Sequence, residues 1–288
     1  MTFAPQFYTL AVMPSLDVRW IHGSPDGDPA AEPPLQVHAF DKDTYILRQS
    51  KCQNFEAPFL YLLFGSERAI LLDTGASGAG GRPLPVQAFV EGIVTQWKAL
   101  HQPASFELVV AHTHGHEDHV AGDSQFAGRP QTRLVLAGVD AVSRFFGFTS
   151  WPDGTATFDL GQRELTLLAV PGHLEDHIAV YDAQTRILLS GDVFYPGFLF
   201  VNDPPAFRRS IARLAGFVAK HPVRFLLGSH IEMSRAPGLA YAYGTTYQPF
   251  EHGLELYPHQ LQELHAATEA MGDRLTRKVF DDFILEAK

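Results

Sequence analysis

The stretch Leu108 to Gly122, LVVAHTHGHEDHVAG, constrains the fold of this chain more than any other. Its first four residues, Leu108 to Ala111, are apolar, partly β-branched and bounded by polar residues, which is the pattern of a short buried strand. His114, His116, Asp118 and His119 follow in a loop. Neutral imidazole nitrogens and carboxylate oxygens are the donors that zinc and similar borderline divalent metals accept. Four such donors within six residues exceed what one tetrahedral ion takes from a single loop. The surplus implies two ions about 3.5–4 Å apart, with His114 and His116 closing on one and Asp118 and His119 turning to the other. The competing reading is a polar, histidine-rich surface loop. Delivery of the cluster by a buried strand argues against it.

His-x-His-x-Asp-His after an apolar strand resembles the signature of the metallo-β-lactamase superfamily. Three later positions extend the resemblance: His173 after LTLLAVPG, Asp192 at the end of ILLSGD and His230 at the end of FLLGSH. Together they cover roughly residues 55 to 232. The resemblance implies a metal shell of His114, His116, Asp118, His119, His173, Asp192 and His230, with Asp192 bridging both ions. It also implies that Asp73, in Asp73-Thr74-Gly75, orients a ligating histidine by accepting its second N–H. Tyr195, three residues beyond Asp192, resembles a tyrosine of the superfamily's acyl-homoserine lactonases, and its phenol would donate to a developing oxyanion. Asp118 would receive or pass a proton. His112 and His177 stay outside the metal shell as structural residues, pairing with a neighbouring carboxylate such as Glu175 or Asp176.

The rest of the chain reads as strands before and after the metal loop, each set followed by a helix. Gln36 to Arg48, Phe59 to Phe64 and Ala69 to Asp73 are strand-like, and Val86 to Leu100 has apolar residues at helical spacing. After the loop come a strand at Leu134 to Ala137 and a short helix at Val139 to Phe146. Strands at Thr155 to Leu160, Glu164 to Val170, His177 to Asp182 and Arg186 to Ser190 follow. Asp203-Pro204-Pro205 then opens a helix. Strands then helix, met twice, predict an α/β fold, an internally pseudo-duplicated sandwich with helices outside, and the resemblance implies the four-layer αββα metallo-β-lactamase-like form of it. One domain is expected over 1–288, with 1–35 an N-terminal arm or lid and 250–288 a C-terminal helical segment. Phe145 to Trp151, FFGFTSW, carries four aromatics that are expected to wall an apolar pocket.

The expected chemistry is hydrolysis. Two divalent ions, Zn2+ by imidazole preference with Fe or Mn also accepted, would hold a bridging hydroxide that attacks an ester, lactone or thioester. The substrate would be a small, partly apolar acyl compound. The alternative within the same fold is a mononuclear iron redox enzyme resembling the persulfide dioxygenases. A formal charge of −10 and the lack of any basic run exclude a nucleic-acid partner on electrostatic grounds. No run of about 20 apolar residues suits a bilayer. The N-terminal MTFAPQFYTLAVMPS lacks a basic, then apolar, export pattern, and the single Cys52 calls for no oxidising compartment, so a cytoplasmic protein is expected.

Overall fold

The computed structural model describes residues 14–287. The first thirteen residues, which hold most of the stretch read for an export pattern and the start of the expected arm, lie outside the described residues.

The first half is a meander of β1 (Leu35–Asp41), β2 (Thr44–Gln49), β3 (Phe59–Phe64) and β4 (Arg68–Leu72). Helix α1 (Val86–His101) then crosses over to β5 (Glu107–Ala111), which lies parallel to β4, and β6 (Thr132–Leu134) extends the sheet. Between β5 and β6 sits the one-turn helix α2 (Glu117–Val120), and α3 (Val139–Phe146) follows β6. The second half repeats the plan. Strands β7 (Thr155–Asp159), β8 (Glu164–Ala169), β9 (Ile178–Asp182) and β10 (Ile187–Gly191) form an antiparallel meander. After β11 (Phe198–Val201), helix α4 (Pro204–Val218) crosses to β12 (Phe225–Gly228), parallel to β10. The expected pseudo-duplication is therefore present strand for strand: four antiparallel strands, a crossover helix, and a fifth strand parallel to the fourth.

The layers follow from side-chain alternation. Along β3, Phe59, Tyr61 and Leu63 enter the core between the sheets, together with Leu165, Leu167 and Val180 of the second sheet. The intervening Leu60, Leu62 and Phe64 pack against α1 through Val86, Val90, Ile93 and Trp97. Each such burial contributes about 1.5–3 kcal/mol, far more than helix propensity alone gives a helix of this length. On the opposite outer face, α4 and α5 (Pro258–Met271) cover the second sheet through Phe207, Ile211, Leu214, Leu261 and Leu264. The N-terminus of α4 is fixed as the sequence predicts, by Asp203 accepting from the Ala206 amide at 3.0 Å with proline in the first turn. No described helix is long and apolar enough to cross a membrane.

Three expectations need correction. Strand β6 lies at Thr132–Leu134, ahead of the expected Leu134 to Ala137, because pairing with β5 stops at Leu134. The described part of the expected 250–288 helical segment is not uniformly helical. Besides α5 it holds β13 (Glu255–Leu256), which adds to the second sheet, and β14 (Lys278–Val279) and β15 (Ile284–Ala287), which join β11 in a small third sheet. Residues 14–34 run as a packed arm, one of the two forms expected. Trp20 is buried against Phe59 at 5.0 Å, and Glu32 accepts from the His22 and Gly23 amides. Finally, the aromatics of Phe145 to Trp151 belong to the core between the sheets. Gly147, at φ 79°, reverses the chain after α3, so that Phe148 packs on Trp151 at 5.2 Å.

Candidate metal centre

The metal loop leaves β5, and the other candidate donors leave β8, β10 and β12, all at the same edge of the sandwich. Two glycines allow these exits. Gly172, before His173, has φ 136°, and a Cβ there would meet the Phe207 backbone of α4 at 2.4 Å. Gly191, before Asp192, has φ 53°, and a Cβ would strike the His177 ring at 2.6 Å. Any larger residue at either place would displace the donor that follows it.

All seven predicted donors converge, in two groups. In the first, His116 Nδ1 lies 3.0 Å from both His114 Nε2 and His173 Nε2. In the second, Asp118 Oδ2 lies 3.3 Å from His119 Nε2 and 3.3 Å from His230 Nε2. Asp192 Oδ2 stands between the groups: 3.5 and 3.4 Å from His119 and His230, 3.8 and 3.7 Å from His114 and His173.

Hydrogen bonds at the far side of the rings fix which nitrogen faces inward. His173 Nδ1 donates to the Phe200 carbonyl and His230 Nδ1 to the Glu56 carbonyl, both at 2.9 Å. His119 Nδ1 donates to Asp73 Oδ2 at 3.0 Å. Since a carbonyl only accepts, the neutral rings of His173 and His230 would present Nε2 lone pairs to the site. Burial pushes the His114 and His173 rings below their ordinary value, which keeps them neutral, the form a metal needs. In the second group burial works against charge, but Asp73, Asp118 and Asp192 lift His119 well above its ordinary value, and Asp192 and Asp118 do the same for His230. Its field favours positive charge at those two nitrogens. Among the described residues, His119 Nε2 and Asp192 Oδ1 are buried without a hydrogen-bond partner. Orphaned donors of these types, and three imidazole nitrogens packed near 3.0 Å, fit a bound cation.

The model of the metallo-beta-lactamase superfamily matches residues 55–232. The chain belongs to that superfamily. Among curated relatives, human acyl-coenzyme A thioesterase MBLAC2 is 28% identical over 172 residues, which is 49% of this chain and 59% of the relative. Hydroxyacylglutathione hydrolase of Ectopseudomonas mendocina is 31% identical over 114 residues, 36% of this chain and 40% of the relative. The chain thus spans less than two thirds of the length of either relative. Among solved structures, the metallo-beta-lactamase from Pontibacter korlensis superposes with TM-score 0.52 at 18% identity, covering 82% of this chain and 99% of that one. TMB-1 does so with TM-score 0.53 at 15% identity, covering 83% and 99%. At that identity the likeness is one of fold.

Around this candidate site the supporting residues sort themselves by hydrogen bonding. Asp73 is fully buried and also accepts from the Thr113 amide at 2.7 Å and the Thr113 hydroxyl at 2.9 Å, so it ties the strand end to the His119 ring. His177 accepts the Asp192 amide at Nε2 (3.0 Å) and stacks on His114 at 4.7 Å. It is a neutral prop for the Asp192 turn. His112 pairs with Asp123, at 3.3 Å, and not with Glu175 or Asp176. Asp176 instead accepts from the Gly115 and Gly138 amides, at 3.3 and 2.7 Å. Tyr195 lines the cavity above the donors, but its hydroxyl donates to the Phe198 carbonyl. A phenol has one proton to give, and here the main chain takes it.

The cavity measures about 840 Å³. Its apolar wall comes from Phe55, Phe198, Phe200 and Tyr243, none of which the sequence reading singled out. Glu56 and Glu232 stand among these rings, and burial pushes Glu232 up to about 7. Glu232 lies two positions beyond His230, a spacing that could have flagged it. Tyr243, in an irregular loop, carries no comparable signal.

Proposed function

We propose that the protein is a metal-dependent hydrolase that holds two divalent cations and cleaves an ester, lactone or thioester bond in a small, partly apolar acyl substrate. The observation that carries this reading is the position of Asp192 Oδ2, within 3.4–3.8 Å of imidazole nitrogens from both donor groups and on the wall of an open cavity. His114, His116 and His173 would hold one ion and Asp118, His119 and His230 the other, with Asp192 reaching both. Zinc suits such a set, and iron and manganese accept it. When bound, such ions supply Lewis acidity and lower the pKa of water towards neutrality.

The remaining work falls to the chain. Asp118, more exposed than Asp192, presents its carboxylate to the cavity. Its carboxylate can take a proton from the attacking water and return it to the leaving oxygen or sulfur. The rings of Phe55, Phe198 and Phe200 offer the substrate's apolar portion a dry contact. Relatives named as a thioesterase and a hydroxyacylglutathione hydrolase support acyl-bond cleavage as the reaction class.

The test pairs metal analysis with hydrolysis of lactones, thioesters and aryl esters on one preparation. Two ions per chain and measurable acyl cleavage are expected. One iron per chain with oxygen-dependent turnover, and no hydrolysis, would instead support the mononuclear redox reading.

A further inference from the structure

The cavity is chemically lopsided. Among the described residues that line it there is no lysine or arginine, while its carboxylates include Glu56, Glu117, Glu232 and Glu286 in addition to Asp118 and Asp192. Glu286 is neutralised by Arg277 at 2.9 Å, and Glu117 accepts from the Ser77 hydroxyl at 2.8 Å. Glu56 and Glu232 form no ion pair among the described residues. Lys51 feels both charges, but its Nζ donates to the Phe55 carbonyl at 2.9 Å and it does not line the cavity. Glu232 is only 8% exposed. One of its oxygens accepts from the Phe198 amide at 3.2 Å, and the other makes no hydrogen bond among the described residues. A carboxylate oxygen without a hydrogen-bond partner among the described residues thus belongs to a nearly buried side chain that lines the cavity.

The rings beside these carboxylates are contiguous. Phe55 meets Tyr243 edge to face at 5.2 Å, Tyr243 meets Phe200 at 5.8 Å, and Phe200 meets Phe198 at 6.0 Å. Tyr243 is anchored by its hydroxyl, which donates to Glu56 at 2.8 Å. Aromatic faces around a carboxylate attract a poorly hydrated cation, because the ring quadrupole and the formal charge act in the same direction. The same wall repels phosphate and carboxylate groups. That disfavours coenzyme A and glutathione esters, whose leaving groups carry such charges and would need cationic partners.

We propose that Phe55, Phe198, Phe200 and Tyr243, with Glu56 and Glu232, form a subsite for an ammonium group, so that the substrate is an acyl compound bearing a cationic amine remote from its scissile bond. The amine would sit against the rings while the acyl carbonyl faces the metal donors. This assignment of substrate class rests on the hydrolase reading, but the subsite itself is testable by binding alone.

Calorimetric titration of the metal-loaded protein with choline, its neutral isostere 3,3-dimethylbutan-1-ol and the anionic isethionate separates charge from shape. Choline should bind at least tenfold more tightly than the neutral alcohol, and isethionate more weakly than either. Glu232→Gln and Tyr243→Ala should each reduce that preference at least fivefold, with metal content measured as a control on the integrity of the site. Choline binding no tighter than the alcohol, or a preference untouched by both substitutions, would overturn the proposal. The S-acetyl thioesters of the three corresponding thiols supply the second arm, with kcat/KM expected in the order cationic, neutral, anionic. Selective choline binding without cleavage of any of the three would leave the subsite standing and remove the hydrolase reading. Cleavage that favours the anionic thioacetate would do the reverse.

Discussion

Replacing Asp73 with asparagine tests how the metal site is held together. The Asp73 carboxylate accepts three hydrogen bonds: Thr113 N–H at 2.7 Å, Thr113 Oγ1 at 2.9 Å and His119 Nδ1 at 3.0 Å. Asparagine keeps the shape but has one accepting oxygen. If that oxygen keeps the Thr113 amide, the side-chain NH2 faces His119 Nδ1, which must then accept. The ring proton moves to Nε2, the atom that faces Asp118 and Asp192, and the metal donor is lost. If the amide flips, Thr113 N–H is left buried without a partner at a cost of about 1–3 kcal/mol. Removing such an orienting partner typically weakens metal binding ten- to a hundredfold, or about 1.4–2.7 kcal/mol. That remains smaller than the about 5–15 kcal/mol that holds a domain folded. Competition with a chromogenic chelator should therefore show the ion proposed for Asp118, His119 and His230 released ten- to a hundredfold more readily. The ion at His114, His116 and His173 should change by only a few fold. Metal-free protein should still melt in one cooperative transition. Equal and unchanged affinities at both sites would refute the argument that Asp73 sets the His119 tautomer.

Three further outcomes are expected. Because the Tyr195 hydroxyl is committed to the Phe198 carbonyl, Tyr195→Phe should slow the chemical step less than tenfold and cost about 1 kcal/mol of stability; a hundredfold loss in single-turnover rate would mean that the phenol turns to the substrate. Arg163→Met should destabilise by about 3–5 kcal/mol in urea unfolding, since it strands the buried Asp182, bound at 2.7 Å, and breaks the bridge to the Phe64 carbonyl of the other sheet. Lys51 is buried and burial pushes it down to about 8 from 10.5, so the unfolded chain binds the extra proton between those values and stability should rise with pH across that window. The gap corresponds to about 3 kcal/mol, and Lys51→Met should flatten the rise; an identical pH profile in the variant would show that Lys51 does not cause it.

The residues of the candidate metal centre were legible because each lies just beyond a short apolar run, and the donor chemistry open to them is written in residue type. The meander-helix-strand plan was legible for a similar reason, since both repeats keep alternation and caps such as Asp203. The third sheet was not. Phe198–Val201 pairs with Ile284–Ala287, a partner supplied from the far end of the chain, and four apolar residues carry no periodicity that separates strand from loop. The cluster at Phe145 to Trp151 misled because aromatic content says nothing about which side of a sheet it covers. The cavity wall came from Phe198, Phe200 and Tyr243, whose roles depend on that third sheet and on an irregular loop.

The duplication also explains how one histidine comes to serve the centre from both sides. Asp73 follows β4, the fourth strand of the first meander, and Asp192 follows β10, the fourth strand of the second. The two are topological equivalents, brought to the same edge because in each sheet the fourth strand is followed by a parallel fifth. Asp73 takes the outer nitrogen of His119 at 3.0 Å, while Asp192 faces the inner nitrogen at 3.5 Å. Equivalent carboxylates have thus taken different tasks by position alone. The fully buried Asp73 is locked by Thr113 and can only orient. Asp192 is propped by His177 through its amide and keeps its carboxylate free at the cavity wall. Exchanging their local partners, and not the aspartates themselves, is what would exchange their roles.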